Sequence, residues 1–262
     1  MIELRHVGFS WPGEAPLLKD VSFAIRPGEK LILLGANGCG KSTLLKLLNG
    51  LIEPDCGDYL WRGEPLTRAR LRAPGHAREF RRACALLFQH PEAMLFNPTV
   101  REEIAYGPRQ LALADVDARV GHWAQQLALE SLLDKAPFLL SGGQKQKLAL
   151  ACLLALDPEV LLLDEPSASL DPATVGYLID LLLHAGKTLV VATHNLSLAA
   201  ELGERCIVLG RDGGVLFDGP IAAALADMPL LERAGLAHRH AHRHGHQHAA
   251  VEHAHVHVHD WQ

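Results

Sequence analysis

The stretch "KLILLGANGCGKSTLLKLLNG" (30–50) constrains this chain more than any other. An apolar run stops at Gly35, a glycine-rich turn follows, and leucines then recur with helical spacing up to a plausible stop at Gly50. Strand, turn and helix in that order open an α/β unit. From Gly35 to Ser42 the turn fits G-x-x-x-x-G-K-[ST], in the strand-to-helix context that the motif requires. Glycines let successive backbone N–H groups converge on phosphate oxygens, and the helix N-terminus adds a fixed positive dipole. Gly35, Ala36, Asn37, Gly38, Cys39, Gly40, Lys41, Ser42 and Thr43 are therefore expected to cradle nucleotide phosphates. Lys41 should reach the β- and γ-phosphates, and the Ser42 hydroxyl should ligate Mg²⁺.

A second apolar run, "VLLLDE" (160–165), ends in two carboxylates. A buried strand of this kind carries Asp164 to its C-terminal edge, where open α/β sheets bind ligands. There Asp164 can hold Mg²⁺ through water, and Glu165 can accept a proton from an attacking water. "ACALLF" and "TLVVATH" read as further core strands, and "CIVLGRDGGVLFDG" as a hairpin about Asp212-Gly213-Gly214. Helices are expected over 99–137 (with Asp115 and Asp117 near a start), over 142–156, over "PATVGYLIDLLLHAG" and near 220–236. Residues 62–82 read as irregular and arginine-rich, a solvated face. Together these predict a mostly parallel sheet with helices on its faces and a helical insertion at 90–140.

The formal charge of −5 argues against a dedicated nucleic-acid binder. No run of about 18 uncharged apolar residues is present, so no membrane span is expected. "MIELRHVGFSW" has an early acid and no apolar h-region, and no secretory signal is read there. Cys39, Cys56, Cys84, Cys152 and Cys206 are scattered and odd in number, the pattern of reduced cytosolic thiols.

The remaining motifs fall in one order: Gln89 closing the strand "ALLFQ", "LSGGQ" (Leu140 to Gln144), "VLLLDE", "SLD" (Ser169 to Asp171), and His194 closing "LVVATH". In register with the phosphate loop they resemble the ATPase subunit of ATP-binding-cassette (ABC) transporters, over residues 1–236. The resemblance implies a P-loop NTPase fold with a parallel core sheet, an N-terminal antiparallel β subdomain and a helical subdomain at about 90–150. It implies ATP and Mg²⁺ as ligands, with Ser42, Gln89 and Asp164 about the metal and Glu165, His194 and Gln89 at the reacting phosphate. It further implies a head-to-tail dimer, of two copies or with a second cassette. In that dimer Ser141, Gly142, Gly143 and Gln144 of one subunit close over the other's ATP, and Asp171 lines the interface. Trp11 falls where the family stacks an aromatic on adenine; the alternative is an edge residue that packs locally. Cys39 replaces a common serine and is either a reactive thiol or an inert small residue. Lys145 or Lys147 stands where many relatives have arginine, which keeps charge and loses a bidentate fork.

"FQHPEAMLFNPTVREEIAYGPRQLAL" (88–113) resembles the corresponding segment of energy-coupling factor (ECF) transporter ATPases, which serve vitamin and transition-metal importers. That resemblance implies a peripheral protein on the cytoplasmic membrane face, bound to a transmembrane coupling protein and a substrate-binding component. Met94, Leu95 and Phe96 either line the groove for that partner or belong to the subdomain core. Residues 237–262 read as a disordered low-complexity tail. Its histidines His238, His240, His242, His244, His246, His248, His253, His255, His257 and His259 recur mainly as H-x-H. Neutral imidazoles so spaced can gather around Ni²⁺ or Co²⁺, or bind metal only incidentally. The combined expectation is the ATPase of a nickel or cobalt importer. A vitamin or other metal transporter, or a soluble cassette, are the alternatives.

Overall fold

The computed structural model describes residues 2–237. β1 (Ile2–Phe9) pairs antiparallel with β2 (Leu18–Ile25), and β3 (Lys30–Leu34) leads through the glycine turn into α1 (Lys41–Leu48). α1 ends in a left-handed exit. Gly50, at φ 67°, donates its N–H to Leu47, and Leu51 donates to Lys46, the geometry that glycine allows without a Cβ penalty. β4 (Cys56–Trp61) and β5 (Glu64–Pro65) complete a four-stranded antiparallel sheet of order β2-β1-β4-β5.

Residues 62–82 depart from the irregular segment expected of them. They form β5, α2 (Arg68–Arg72) and α3 (Pro74–Ala83). Thr67 caps α2 by accepting the Arg70 N–H, and Pro74 starts α3 where its missing N–H costs nothing. α2 buries nothing, and α3 buries only Ala77, Phe80 and Ala83, so its apolar stripe is one residue wide. The arginines between those three hide the helical period.

β6 (Cys84–Leu87) then leads into a helical unit of α4 (Val100–Gln110), α5 (Val116–Gln126) and α6 (Gly142–Leu154). The helical stretch expected over 99–137 is broken. Asp115 sits in the left-handed region at φ 55° before α5, and the chain beyond Gln126 makes short 3-10 turns. The rest alternates: β7 (Val160–Asp164), α7 (Pro172–His184), β8 (Thr188–Thr193), α8 (Leu196–Leu202), β9 (Arg205–Leu209), β10 (Val215–Pro220), α9 (Ile221–Ala226) and α10 (Met228–Arg233).

The second sheet has order β10-β9-β3-β8-β7-β6, parallel throughout except for the β9–β10 hairpin. Its central strands are apolar on both faces because both are covered. Leu31 and Leu33 of β3, Val160 and Leu162 of β7, and Val190 and Ala192 of β8 pack toward α1 and the antiparallel sheet. Ile32 and Leu34, Leu161 and Leu163, and Leu189 and Val191 pack on the other side against the remaining helices. The two-residue period thus divides the strands between two cores. Each fully buried leucine or isoleucine here contributes about 1.5–3 kcal/mol relative to exposure.

A nucleotide site at the strand ends

In a parallel sheet the C-terminal ends of the strands share one edge. Leu34 of β3 lies opposite Thr193 of β8, Asp164 of β7 opposite Ala192 of β8, and Leu87 of β6 opposite Leu163 of β7. The segments that follow these strands carry the Gly35–Ser42 turn, Glu165, His194 and Gln89, so register alone gathers motifs that are far apart in sequence. All of these but His194, which stands behind Glu165, contribute to a cavity of about 320 Å³ lined by Leu17, Asn37, Gly38, Gly40, Lys41, Ser42, Thr43, Gln89, Asp164 and Glu165. Gln89 lies two residues past the end of β6 rather than closing the strand.

The turn is shaped by glycine where nothing else fits. A Cβ on Gly35, at φ 154°, would lie 2.5 Å from Cys39 Sγ and 2.9 Å from the Leu209 carbonyl. Cys39 itself is buried, and burial pushes its thiol above the ordinary range. That supports the inert small residue over the reactive thiol. Gly40 precedes α1 without a side-chain cap, which leaves the helix's first-turn N–H groups to an anion. Lys41 is buried and donates from Nζ to the carbonyls of Gly35 (2.7 Å) and Ala36 (3.1 Å). Its charge is thereby held at the mouth of the turn.

Across the cavity Asp164 is buried, and burial pushes its carboxyl above the ordinary range; the neighbouring charge of Glu165 acts the same way. A hydrogen bond from the Ser42 hydroxyl and the charge of Lys41 pull against this rise. Ser42 and Gln89 thus place oxygens on the same cavity as the Asp164 carboxylate, a hard donor set that fits Mg²⁺. Ionised Asp164 costs stability. A raised carboxyl makes the folded state the better proton binder, so stability falls as pH rises through that pKa. Asp164→Asn should therefore raise the melting temperature at neutral pH, with the advantage shrinking in acid, while Mg²⁺-dependent turnover collapses. Scanning calorimetry across pH checks the first part and phosphate release the second.

Glu165 is buried and held from three sides. Its Oε2 accepts the Thr193 hydroxyl at 2.9 Å, and its Oε1 accepts the His194 backbone N–H at 3.0 Å and faces His194 Nδ1 at 2.6 Å. Glu165 adopts φ 47°, a left-handed conformation that turns the chain out of β7 toward the cavity. Thr193 and the lining residue Leu17 were not foreseen from the motifs. Thr193 precedes His194 within "ATH", but its partner becomes visible only once β7 and β8 lie side by side.

The remaining expected residues sit around this centre. Ser141 and Gln144 form a capping box on α6. The Ser141 Oγ accepts the Gln144 N–H, and Gln144 Oε1 accepts the Ser141 N–H. Gly143 packs so closely on Ser169 that a Cβ would approach its carbonyl to 3.0 Å. Asp171 caps α7 through Thr174. Among the described residues, the cavity lining includes neither Ser141–Gln144 nor Trp11. Trp11 is half-buried, edge-on to Phe9 at 5.1 Å, with the Lys46 ammonium 5.7 Å from its ring centre. The tail histidines 238–259 lie outside the described residues.

A family model for ABC transporters matches residues 18–168, more than half of the chain. The chain belongs to the ABC transporter ATPases. It is 43% identical over 242 residues to the nickel import ATP-binding protein NikO of Rhodobacter capsulatus, covering 89% of this chain and 94% of that one. It is 34% identical over 241 residues to the energy-coupling factor transporter ATP-binding protein EcfA of Methanothermobacter thermautotrophicus, covering 90% and 76%. Its fold matches the dimeric, post-hydrolysis cassette MJ0796 bound to ADP and phosphate, with a TM-score of 0.74 at 29% identity over 84% of this chain and 99% of the other. The cassette is an ECF-type ATPase. Among its described residues no helix is long and apolar enough to cross a membrane.

Proposed function

We propose that this cassette powers import of a transition-metal cation, Ni²⁺ or Co²⁺, from the cytoplasmic face of the membrane, as a dimer bound to integral membrane subunits. The observation that carries the ATPase half is the Glu165 carboxylate, held at the cavity wall by Thr193 and His194 opposite Lys41. Lys41 exchanges its loop carbonyls for the β- and γ-phosphates, and the first-turn N–H groups of α1 meet the remaining oxygens. Mg²⁺, held by Ser42, Asp164 and Gln89, would neutralise developing phosphate charge. Glu165 takes the proton of the attacking water, which contributes typically 10²–10⁴-fold. His194 fixes the orientation of Glu165 and meets the γ-phosphate on the same side.

Ser141, Gly142, Gly143 and Gln144 are rigidly capped yet lie outside their own chain's cavity lining, which favours their use on the ATP of a facing cassette. The contact of Gly143 with Ser169 ties that signature to the segment beside Asp171 at the same interface. Trp11, with one neighbour edge-on and a cation nearby, offers its ring to adenine. Met94 and Leu95 pack on the core while Phe96 is exposed, so the membrane partner's contact falls to Phe96 rather than to all three.

Support for the metal cargo is twofold: the identity with a nickel import ATPase along nearly the whole chain, and the ten tail histidines. The tail gathers Ni²⁺ or Co²⁺ through neutral imidazoles. Titration calorimetry of Ni²⁺ into the full chain and into a chain ending at Ala237 tests this. Binding should be confined to the full chain and should weaken below about pH 6.5 as protons compete. Equal binding by both forms would remove the tail from the reading.

A further inference from the structure

Glu103 of α4 is 4% exposed and lies outside the nucleotide cavity lining. A carboxylate so buried is costly unless its lone pairs are met. Both of its oxygens are met by two residues of the loop that leads away from Gln89. Oε2 accepts the backbone N–H of Phe96 at 2.9 Å and of Asn97 at 2.6 Å, and Oε1 accepts Asn97 Nδ2 at 3.1 Å. The loop is therefore fixed at both ends, by β6 before Gln89 and by Glu103 at Phe96-Asn97. Between them a 3-10 turn, Pro91–Met94, packs Met94 and Leu95 on the core.

Phe96 is held by its backbone, yet the residue is 66% exposed. Its ring meets Tyr106, also exposed, edge-on at 4.8 Å. Tyr106 stands three residues beyond Glu103, one turn along the same helix. The carboxylate thus fixes both halves of this aromatic pair, one through its hydrogen bonds and one through its helix. α4 packs against α6, whose Cys152 thiol is pushed up first by burial and then by the charge of Glu103. α6 is the helix that Ser141 caps.

We infer that Glu103 is a positioning residue: it locks the loop after Gln89 to α4, so that a partner pressing on Phe96 and Tyr106 moves Gln89 and α6 as one body. This rests on the reading of Phe96 as the membrane partner's contact. The physical reason is the cost of separation. Pulling Phe96-Asn97 off Glu103 strands a buried charge and two backbone donors, so loop and helix shift together.

The test compares the isolated chain with its complex in membrane vesicles for Glu103→Met, Glu103→Gln, Asn97→Ala and Phe96→Ala. In Glu103→Met, of similar length and without an acceptor, amide exchange at Phe96 and Asn97 should rise about tenfold or more. Basal kcat and the KM for ATP should stay within about twofold, while the extra ATP turnover contributed by the membrane subunits is lost. Glu103→Gln keeps one acceptor oxygen and should restore most of that coupling. Asn97→Ala removes one donor of three, leaves the carboxylate in place and should fall between; if Glu103→Met does not fold, this variant decides. Unchanged exchange in Glu103→Met, or raised exchange with wild-type coupling, overturns the inference. Wild-type coupling in Phe96→Ala instead marks failure of the contact reading alone.

Discussion

Glu165→Gln should lower ATP turnover by about 10²- to 10⁴-fold while leaving ATP binding intact. The substitution keeps shape and loses basicity. With its oxygen in the place of Oε1, the Gln can still accept the His194 backbone N–H and Nδ1–H, and its amide can donate to the Thr193 hydroxyl oxygen. The local hydrogen bonds therefore survive in altered polarity, and what disappears is the acceptor for the proton of water. With ATP bound and not hydrolysed, the closed dimer should accumulate. Gel filtration with Mg²⁺ and ATP reads this as a shift from monomer to dimer, and phosphate release reads the rate. Turnover within tenfold of wild type would move the base elsewhere, and a variant that stays monomeric would count against the head-to-tail arrangement.

Lys41→Met should act at the opposite step. Methionine fills the buried space of the lysine stem but carries no charge, so the phosphates lose a charge-assisted donor. Such a bond contributes about 1.5–3 kcal/mol, which corresponds to a loss in ATP affinity of about ten- to a hundredfold. The carbonyls of Gly35 and Ala36 also lose their donor, so a small drop in melting temperature should accompany the loss. Titration with a fluorescent ATP analogue distinguishes the two variants. Glu165→Gln binds and does not turn over, whereas Lys41→Met fails to bind at low nucleotide. Equal affinities would take Lys41 off the phosphates.

What the sequence made legible is local, and what it hid is mostly distant. The Gly35–Ser42 turn, Asp164 and Gln89 announce themselves because each follows an apolar run, and parallel strands bring such ends to one edge. The pairing of Glu165 with His194 is not written in either motif. It arises because β7 and β8 are neighbours, which sets Asp164 opposite Ala192. Leu17 reaches the cavity from the end of a surface loop, with no motif to mark it. α3 was hidden by its arginines, although Ala77, Phe80 and Ala83 keep a three-residue spacing. In "VREEIAYG" the two glutamates look alike, yet Glu102 bonds the Thr99 cap at the start of α4 while Glu103 turns inward to the loop. Helix phase separates them, and phase needs a fixed start.

Uptake of radioactive Ni²⁺ and Co²⁺ by cells that carry this chain with its membrane partners tests metal import driven by Glu165 most directly. Three forms are compared: wild type, Glu165→Gln, and the chain ending at Ala237. One of the two metals should accumulate with wild type and fall to background with Glu165→Gln. The truncated form should still import, with altered metal retention inside the cell. Background uptake of both metals by wild type, or uptake that ignores Glu165, would contradict a metal importer driven by this site.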